Sequence, residues 1–160
     1  MSQTVERFAG GAIGEPGDRT FLLEVVVDGI ATAYLLEKLQ VAALAEAAKT
    51  MLRHRGLIGV GLSIDPGGVH GDTSVAFRVG DVQIAYDEDA DVVILVIFPV
   101  EDEAEPVARE LTLAQLDAFA REASVVVVAG RPACPRCGLA MDADGHNCPR
   151  TNGDLRGHRP

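Results

Sequence analysis

The chain has 160 residues, of which 48% are hydrophobic and 24% charged, a composition and length that predict one folded domain, with room for a small appendage. Its formal net charge of -10 opposes attraction to nucleic acid phosphates and to anionic lipids. No apolar run is long enough to cross a bilayer, and residues 1–11 lack the apolar region of a secretory signal. We therefore expect a cytoplasmic protein with a protein partner or a small-molecule ligand, and no nucleic acid or membrane partner.

Three extended segments open the chain. Residues 4–12 predict a first strand, which ends at the turn-forming residues 15–18. Thr20 to Val27 and Ile30 to Glu37 are apolar and rich in β-branched residues, and Asp28-Gly29 between them favours a two-residue hairpin turn. These segments predict antiparallel pairing.

The spacing of apolar residues then changes from strand to helix. From Gln40 to Arg53 they recur every three or four positions, which predicts an amphipathic helix. Gly56 to Gly71 contains six glycines and Pro66, so an irregular surface loop should follow, with a short extended piece at Leu57 to Ile64.

The second half repeats this order. Three more strands are predicted at Ser74 to Val79, Val82 to Tyr86 and Val92 to Pro99, divided by turns at Gly80-Asp81 and at Asp87-Glu88-Asp89. The acidic residues 101–105 predict a solvated run.

A second helix is predicted from a capping box, in which Thr112 and Gln115 satisfy helix amides. This helix is expected to run through Val125 to Ala129 before Gly130 and Pro132 end it, although four consecutive valines also allow a strand.

These elements predict an α+β fold, with an antiparallel sheet of about six strands and two helices on one face. Three strands and a helix occur twice, and residues 39–45 resemble residues 113–119, so a βββα duplication competes with chance similarity between amphipathic helices. The predicted division is an α+β domain at 1–130 and a zinc-binding knuckle and tail at 131–160.

The most specific motif lies near the carboxyl end. All three cysteines fall within 15 residues of one another, and Cys134-x-x-Cys137 followed by His146-x-Cys148 has the spacing of a four-ligand zinc site. Four protein ligands fill the coordination shell and leave no position for water, so a structural ion is expected. The spacing thus predicts structural Zn²⁺ bound by a zinc ribbon or knuckle, with iron as the alternative metal that ligands of this softness allow.

Charged neighbours fit this interpretation. Three thiolates and a neutral imidazole leave one net negative charge around a divalent cation, which nearby arginines can offset, and an aspartate can accept the second ring N–H of His146. The candidate residues are Arg131, Arg136, Arg150, Asp142 and Asp144. A c-type haem site is excluded because Gly138, and not histidine, follows the second cysteine.

A weaker alternative concerns the glycine-rich loop at residues 56–72. His70 lies near Asp65 and Asp72 in sequence and has the chemistry of a general base or a ligand, although a solvated loop histidine is the more common case. Because long loops often carry function, a small-molecule enzyme with its site near this loop and Arg19 competes with a non-enzymatic accessory protein.

Three groups of residues along the chain resemble one family. They are Gly14-Glu-Pro-Gly17 with Arg19-Thr-Phe21, Glu37-Lys38 with Gln40-Val-Ala-Ala-Leu44, and Gly130-Arg-Pro with Cys-Pro-x-Cys-Gly and Gly145-His-x-Cys-Pro-Arg-x-Asn-Gly153. The chain thereby resembles the actinobacterial proteins classed as domain of unknown function 3090. The resemblance implies a gene neighbour similar to a phosphomutase, and so a shared pathway or complex, but it implies no reaction.

Overall fold

The structure, a computed structural model, describes residues 3–15, 17–57, 67–128, 134–139, 141 and 148–149. The chain divides into two compact units, unit 1 with Met1–Ile13 and Thr20–Val127, and unit 2 with Gly14–Arg19 and Val128–Pro160. The division expected at residue 130 stays a prediction.

Within the described residues, unit 1 is built from seven strands and two helices. In chain order they are β1 (Gln3–Thr4), β2 (Arg7–Ile13), β3 (Thr20–Val27), β4 (Ile30–Leu36), α1 (Lys38–His54), β5 (Val75–Asp87), β6 (Val92–Pro99), β7 (Val107–Leu111) and α2 (Leu113–Val128). The strands form one sheet in the order β1-β7-β6-β5-β4-β3-β2. The α+β class is confirmed.

The sheet differs from the expected one in number and direction of strands. It has seven strands, not about six, and it is mixed because β1 pairs with β7, and β4 with β5, in parallel. Strand β7 was not predicted. The turn expected at Gly80-Asp81 is a β-bulge instead, so the two strands predicted there form the single strand β5.

The valine run at the end of α2 is helical, which settles the alternative left open by the sequence. Val126 and Val127 pack against the core, whereas Val125 and Val128 are 68% and 83% exposed. This alternation follows a helical period and not the period of two that a strand requires. Neither of the helices described in unit 1 is long and apolar enough to cross a membrane.

The sheet closes on itself through its first strand. The two ends of the strand order, β1 and β2, are consecutive in the chain and are joined by Val5 and Glu6. The Val5 N–H donates to the Glu110 carbonyl in β7, and the Glu6 N–H donates to the Val26 carbonyl in β3. The chain therefore bends at Val5 and Glu6, so that β1 pairs with β7 at one end of the strand order and β2 pairs with β3 at the other.

Strand β5 bends in the same way. Its first residues pair in parallel with β4, and the residues after the bulge at Gly80 pair with β6. The first half of unit 1 (β1 to α1) and the second half (β5 to α2) thus share one βββα order, in which β5 corresponds to β1 and β2 together. The bend at Val79 and Gly80 corresponds to the bend at Val5.

A glutamine on each helix fixes the bend in the other half. Gln40 of α1 donates from Nε2 to the carbonyls of Val79 (3.0 Å) and Gly80 (3.2 Å). Gln115 of α2 donates from Nε2 to the carbonyl of Val5 (2.9 Å). Each glutamine also accepts, at 2.8 Å, the N–H of the residue that caps its own helix, so each closes a capping box.

Further residues correspond once Gln40 is aligned with Gln115. Leu44 corresponds to Phe119 in the helices, and Tyr34 corresponds to Arg109 in the strands before them. Arg109 Nη2 lies 3.3 Å from the Tyr34 hydroxyl, so these two equivalent residues meet across the sheet. This alignment is shifted by one residue from the resemblance seen in the sequence between residues 39–45 and 113–119.

Replacing the two glutamines should cost unequal amounts of stability. We expect Gln115→Ala to lower the free energy of unfolding by about 2–3 kcal/mol, because it leaves a buried carbonyl and a cap N–H without partners. Gln40→Ala should cost about 1 kcal/mol, because its site is reached by water. Urea denaturation measures both. Gln83→Ala, on an exposed strand position, is the control, and equal costs at Gln40 and Gln115 would contradict the expectation.

Candidate metal centre

The first two cysteines of unit 2 lie on a tight turn. The Gly138 N–H donates to the Cys134 carbonyl (2.8 Å), and the Cys134 N–H donates to the Leu139 carbonyl (2.7 Å). Gly138 has φ of +77°, a conformation that favours glycine. The glycine that follows Cys137 therefore lets the chain reverse and brings two thiols to one side.

The third cysteine joins them. The Sγ atoms of Cys134, Cys137 and Cys148 all lie within 4.8 Å of one another, and Cys134 Sγ is 3.8 Å from Cys148 Sγ. Tetrahedral zinc with Zn–S bonds of about 2.3 Å places its sulfurs about 3.8 Å apart. A disulfide would require about 2.05 Å, so the arrangement fits three ligands around one ion and not a disulfide.

Backbone amides support the sulfurs. The Arg136 N–H donates to Cys134 Sγ (3.4 Å), and the Leu139 N–H donates to the Cys137 sulfur. Loss of hydration raises the pKa of the Cys137 thiol, and the neighbouring Cys148 and Cys134 thiols add to this rise. Thiolates crowded in this way need a cation beside them, and such sulfurs release protons when a metal binds.

The cysteines also form a small core. Cys134 and Cys148 are 2% and 6% exposed, and buried Met141 packs with them. Of the four predicted ligands, the structure brings Cys134, Cys137 and Cys148 together, whereas His146 lies outside the described residues. The residues expected to support the site, Arg131, Asp142, Asp144 and Arg150, also lie outside them.

A second polar cluster, in unit 1, was not predicted from the sequence. Glu24 of β3 has no exposed surface, and Arg7 Nη1 lies 2.5 Å from its Oε1. His70 contacts the same carboxylate with its ring Nδ1 (2.8 Å) and its backbone N–H (2.9 Å), and Thr73 donates from Oγ1 (2.8 Å). Arg7 also donates to the Gly68 carbonyl. These contacts fasten residues 67–73 to the sheet.

Four hydrogen bonds from three residues explain the acidity of Glu24. Burial alone would raise its pKa, but the hydrogen bonds from His70, Arg7 and Thr73 favour the carboxylate and lower its pKa to about 2. The signal that could have found this cluster was a single charged residue inside the apolar strand Leu22 to Val26. The partners themselves lie too far along the chain for spacing to reveal them.

The alternative of an enzyme site near the glycine-rich loop stays a prediction. The described part of this loop places His70 against Glu24, with 59% of the His70 side chain exposed. Three cavities, of about 550, 490 and 190 Å³, are lined by other residues, and neither His70 nor Asp72 lines any of them. Residues 58–66 of the loop lie outside the described residues.

The fold and the cysteines together define an α+β protein with a C-terminal cluster of three cysteines. Residues 2–148 match the model of the family described as protein of unknown function (DUF3090). The match covers most of the chain, which therefore belongs to that family. No curated protein and no solved structure matches the chain.

Glu24 should make stability depend on pH in the acid range. Its pKa falls from 4.5 to about 2 on folding, so its contribution is complete above pH 4.5 and disappears as the pH falls towards 2. We expect Glu24→Gln to lower the free energy of unfolding at pH 7 by about 3 kcal/mol. The difference between wild type and variant should shrink between pH 4.5 and pH 2, as measured by denaturant unfolding at each pH.

The matched control is Glu46→Gln. Glu46 pairs with Lys49 but its side chain is 70% exposed, so its loss should cost less than about 0.5 kcal/mol. A Glu24→Gln protein as stable as wild type at pH 7 would contradict the role assigned to the cluster.

Proposed function

We propose that this protein binds one structural Zn²⁺ through Cys134, Cys137, His146 and Cys148, and that it acts in the cytoplasm as an accessory module that docks a partner protein. The observation that supports the metal is the convergence of three thiols on one point, with Cys134 Sγ and Cys148 Sγ at the separation of two zinc ligands. Thiolate and imidazole ligands in a tetrahedron are the usual set for structural zinc, and iron is the other metal that such sulfur ligands bind.

A structural role is favoured over catalysis by the ligand set. With His146 as fourth ligand the ion has no open position at which to activate water or to polarise a substrate. Cys134 and Cys148 are also buried, so the ion would hold the core of unit 2 together instead of facing solvent. A segment this short has few other apolar residues with which to form a core.

We further propose that the zinc-binding segment docks a partner protein. A zinc-stabilised knuckle presents rigid backbone and exposed side chains at little entropic cost, and preorganised surfaces bind with higher affinity. Leu139, beside the cysteines, is 54% exposed and offers an apolar contact on this surface. The rigid knuckle would therefore present Leu139 to the partner.

The metal can be tested by elemental analysis of protein purified without added zinc. We expect about one zinc per chain in wild type, because four ligands of this kind bind zinc tightly at neutral pH. Cys148→Ser should lose the zinc, and His146→Ala should bind it more weakly. His54→Ala, which removes an exposed histidine from α1, is the control and should keep the full amount. Wild type without zinc would contradict the proposal.

The docking step is tested separately, with wild type, Leu139→Ser and Cys148→Ser as three baits in cells that express the protein at its natural level. The account expects a partner that binds wild type, is lost with Leu139→Ser, and is lost with Cys148→Ser. A zinc-loaded protein that recovers no partner, or a set of partners from which Leu139→Ser removes none, would contradict docking through Leu139 while leaving the metal in place.

A further inference from the structure

A groove runs between α1 and the second part of β5. It contains two adjoining cavities of about 550 and 490 Å³, which share Ala47 and Ile84 in their walls. The α1 wall is made of small residues, since Ala43 and Ala47 face the cavities and are exposed. The β5 wall begins at Asp81, which is also exposed. The groove is thus partly apolar in its middle, with Asp81 at one end and with His54, Arg55 and Glu88 at the other.

The edge of β5 along this groove is open. Strand β4 pairs with β5 only from Val75 to Arg78, and after the bulge β5 keeps β6 as its neighbour on the other side. Within the described ranges, no strand pairs with the α1 side of β5 beyond Arg78. Unpaired strand edges bind extended polypeptide through backbone hydrogen bonds.

The corresponding groove in the first half, between α2 and β2, is filled. The ring of Phe119 lies so close to Gly10 that a Cβ on the glycine would be 2.5 Å from it. A loop segment of the same chain covers the rest, because Arg7 donates to the Gly68 carbonyl and Glu122 Oε1 lies 3.7 Å from a Cβ placed on Gly68. The repeat therefore shows that such a groove accepts a polypeptide segment.

The residues that fill the first groove are replaced in the second. Phe119 corresponds to Leu44, and Glu122 to Ala47, in the alignment of Gln40 with Gln115. The strand registers make Arg7 the equivalent of Asp81. Burial follows the same contrast. Ala118 is 1% exposed, whereas its equivalent on α1, Ala43, is exposed. The groove between α1 and β5 therefore resembles the groove between α2 and β2 but lacks the side chains and the loop segment that fill it. It also has the negative Asp81 where the first groove has the positive Arg7.

We propose that the groove between α1 and β5 binds an extended segment of a partner protein. The open edge of β5 would take the backbone of the segment, and Ala43 and Ala47 leave room for its apolar side chains. In the first half Arg7 donates to a carbonyl, whereas Asp81 can only accept, so the segment carries a lysine or arginine at this end. This surface lies in unit 1 and does not depend on the metal.

The test uses the full-length protein and a fluorescent, acetylated peptide of alternating lysine and valine as the probe. Saturable binding in fluorescence anisotropy is expected, with amide shifts at Ala43, Ala47 and residues 81–84 in NMR spectra. Ala47→Glu and Asp81→Arg install the residues of the first half. Each should weaken binding about tenfold, because each removes space or charge that the segment uses.

Two variants are the controls. Ala85→Glu adds the same charged side chain at an exposed position of β5 that does not line the groove, and Asp102→Arg makes the same charge change in the acidic run. Both should bind the peptide as wild type does, and all four variants should keep the wild-type melting temperature. A peptide of alternating glutamate and valine should not bind.

Several outcomes would overturn the proposal. They are a peptide that does not bind, binding that Ala47→Glu and Asp81→Arg leave unchanged, and amide shifts confined to other surfaces. A dimer in sedimentation that Ala47→Glu dissociates would make a second copy of the chain the occupant. Cross-peaks in the free protein between groove amides and residues 151–160 would make the chain's own end the occupant. Either result would contradict a partner segment.

Discussion

The fold of unit 1 depends on hydrogen bonds to the backbone carbonyls at the two bends where a strand changes partners. A strand that leaves one neighbour for another exposes carbonyls that no ladder hydrogen bond satisfies, and buried carbonyls without a partner are costly. Here Gln115 fills that need at Val5, and Gln40 fills it at Val79 and Gly80. Because each glutamine lies on the helix of the opposite half, neither half is complete without the other.

The two halves share this interaction but differ on the outer face of the sheet. In the first half Glu24 stands where the second half has Val96, as the strand registers show. A buried carboxylate is stable only with partners, and Arg7, His70 and Thr73 supply them from a neighbouring strand and from the segment that links the halves. The charged residue thus specifies where the linking segment lies, which an apolar residue could not do as selectively.

Local features of the sequence predicted much of this fold. The Asp28-Gly29 hairpin, both helices and the capping box of Thr112 and Gln115 depend on residues within a few positions of one another, and all four are present. Strand β7 was missed because it has only five residues between an acidic run and a helix. Its pairing with β1 joins residues more than 100 positions apart in the chain, which local patterns do not reveal.

Direction and register were likewise beyond local reasoning. Gly80-Asp81 has the composition of a turn, but the pairing with β4 and β6 on either side of it makes the site a bulge. The cysteine spacing, in contrast, predicted three thiols close together, because a short turn leaves two of them few other arrangements. Glu24 and His70 are 46 residues apart, and no spacing rule connects them.

The central functional claim is a zinc ion held by three sulfurs and one nitrogen in unit 2, and X-ray absorption spectroscopy at the zinc edge of the purified protein tests it most directly. The account predicts three sulfur neighbours at about 2.3 Å and one nitrogen at about 2.0 Å. A shell composed mainly of oxygen, or one with fewer than three sulfurs, would contradict it.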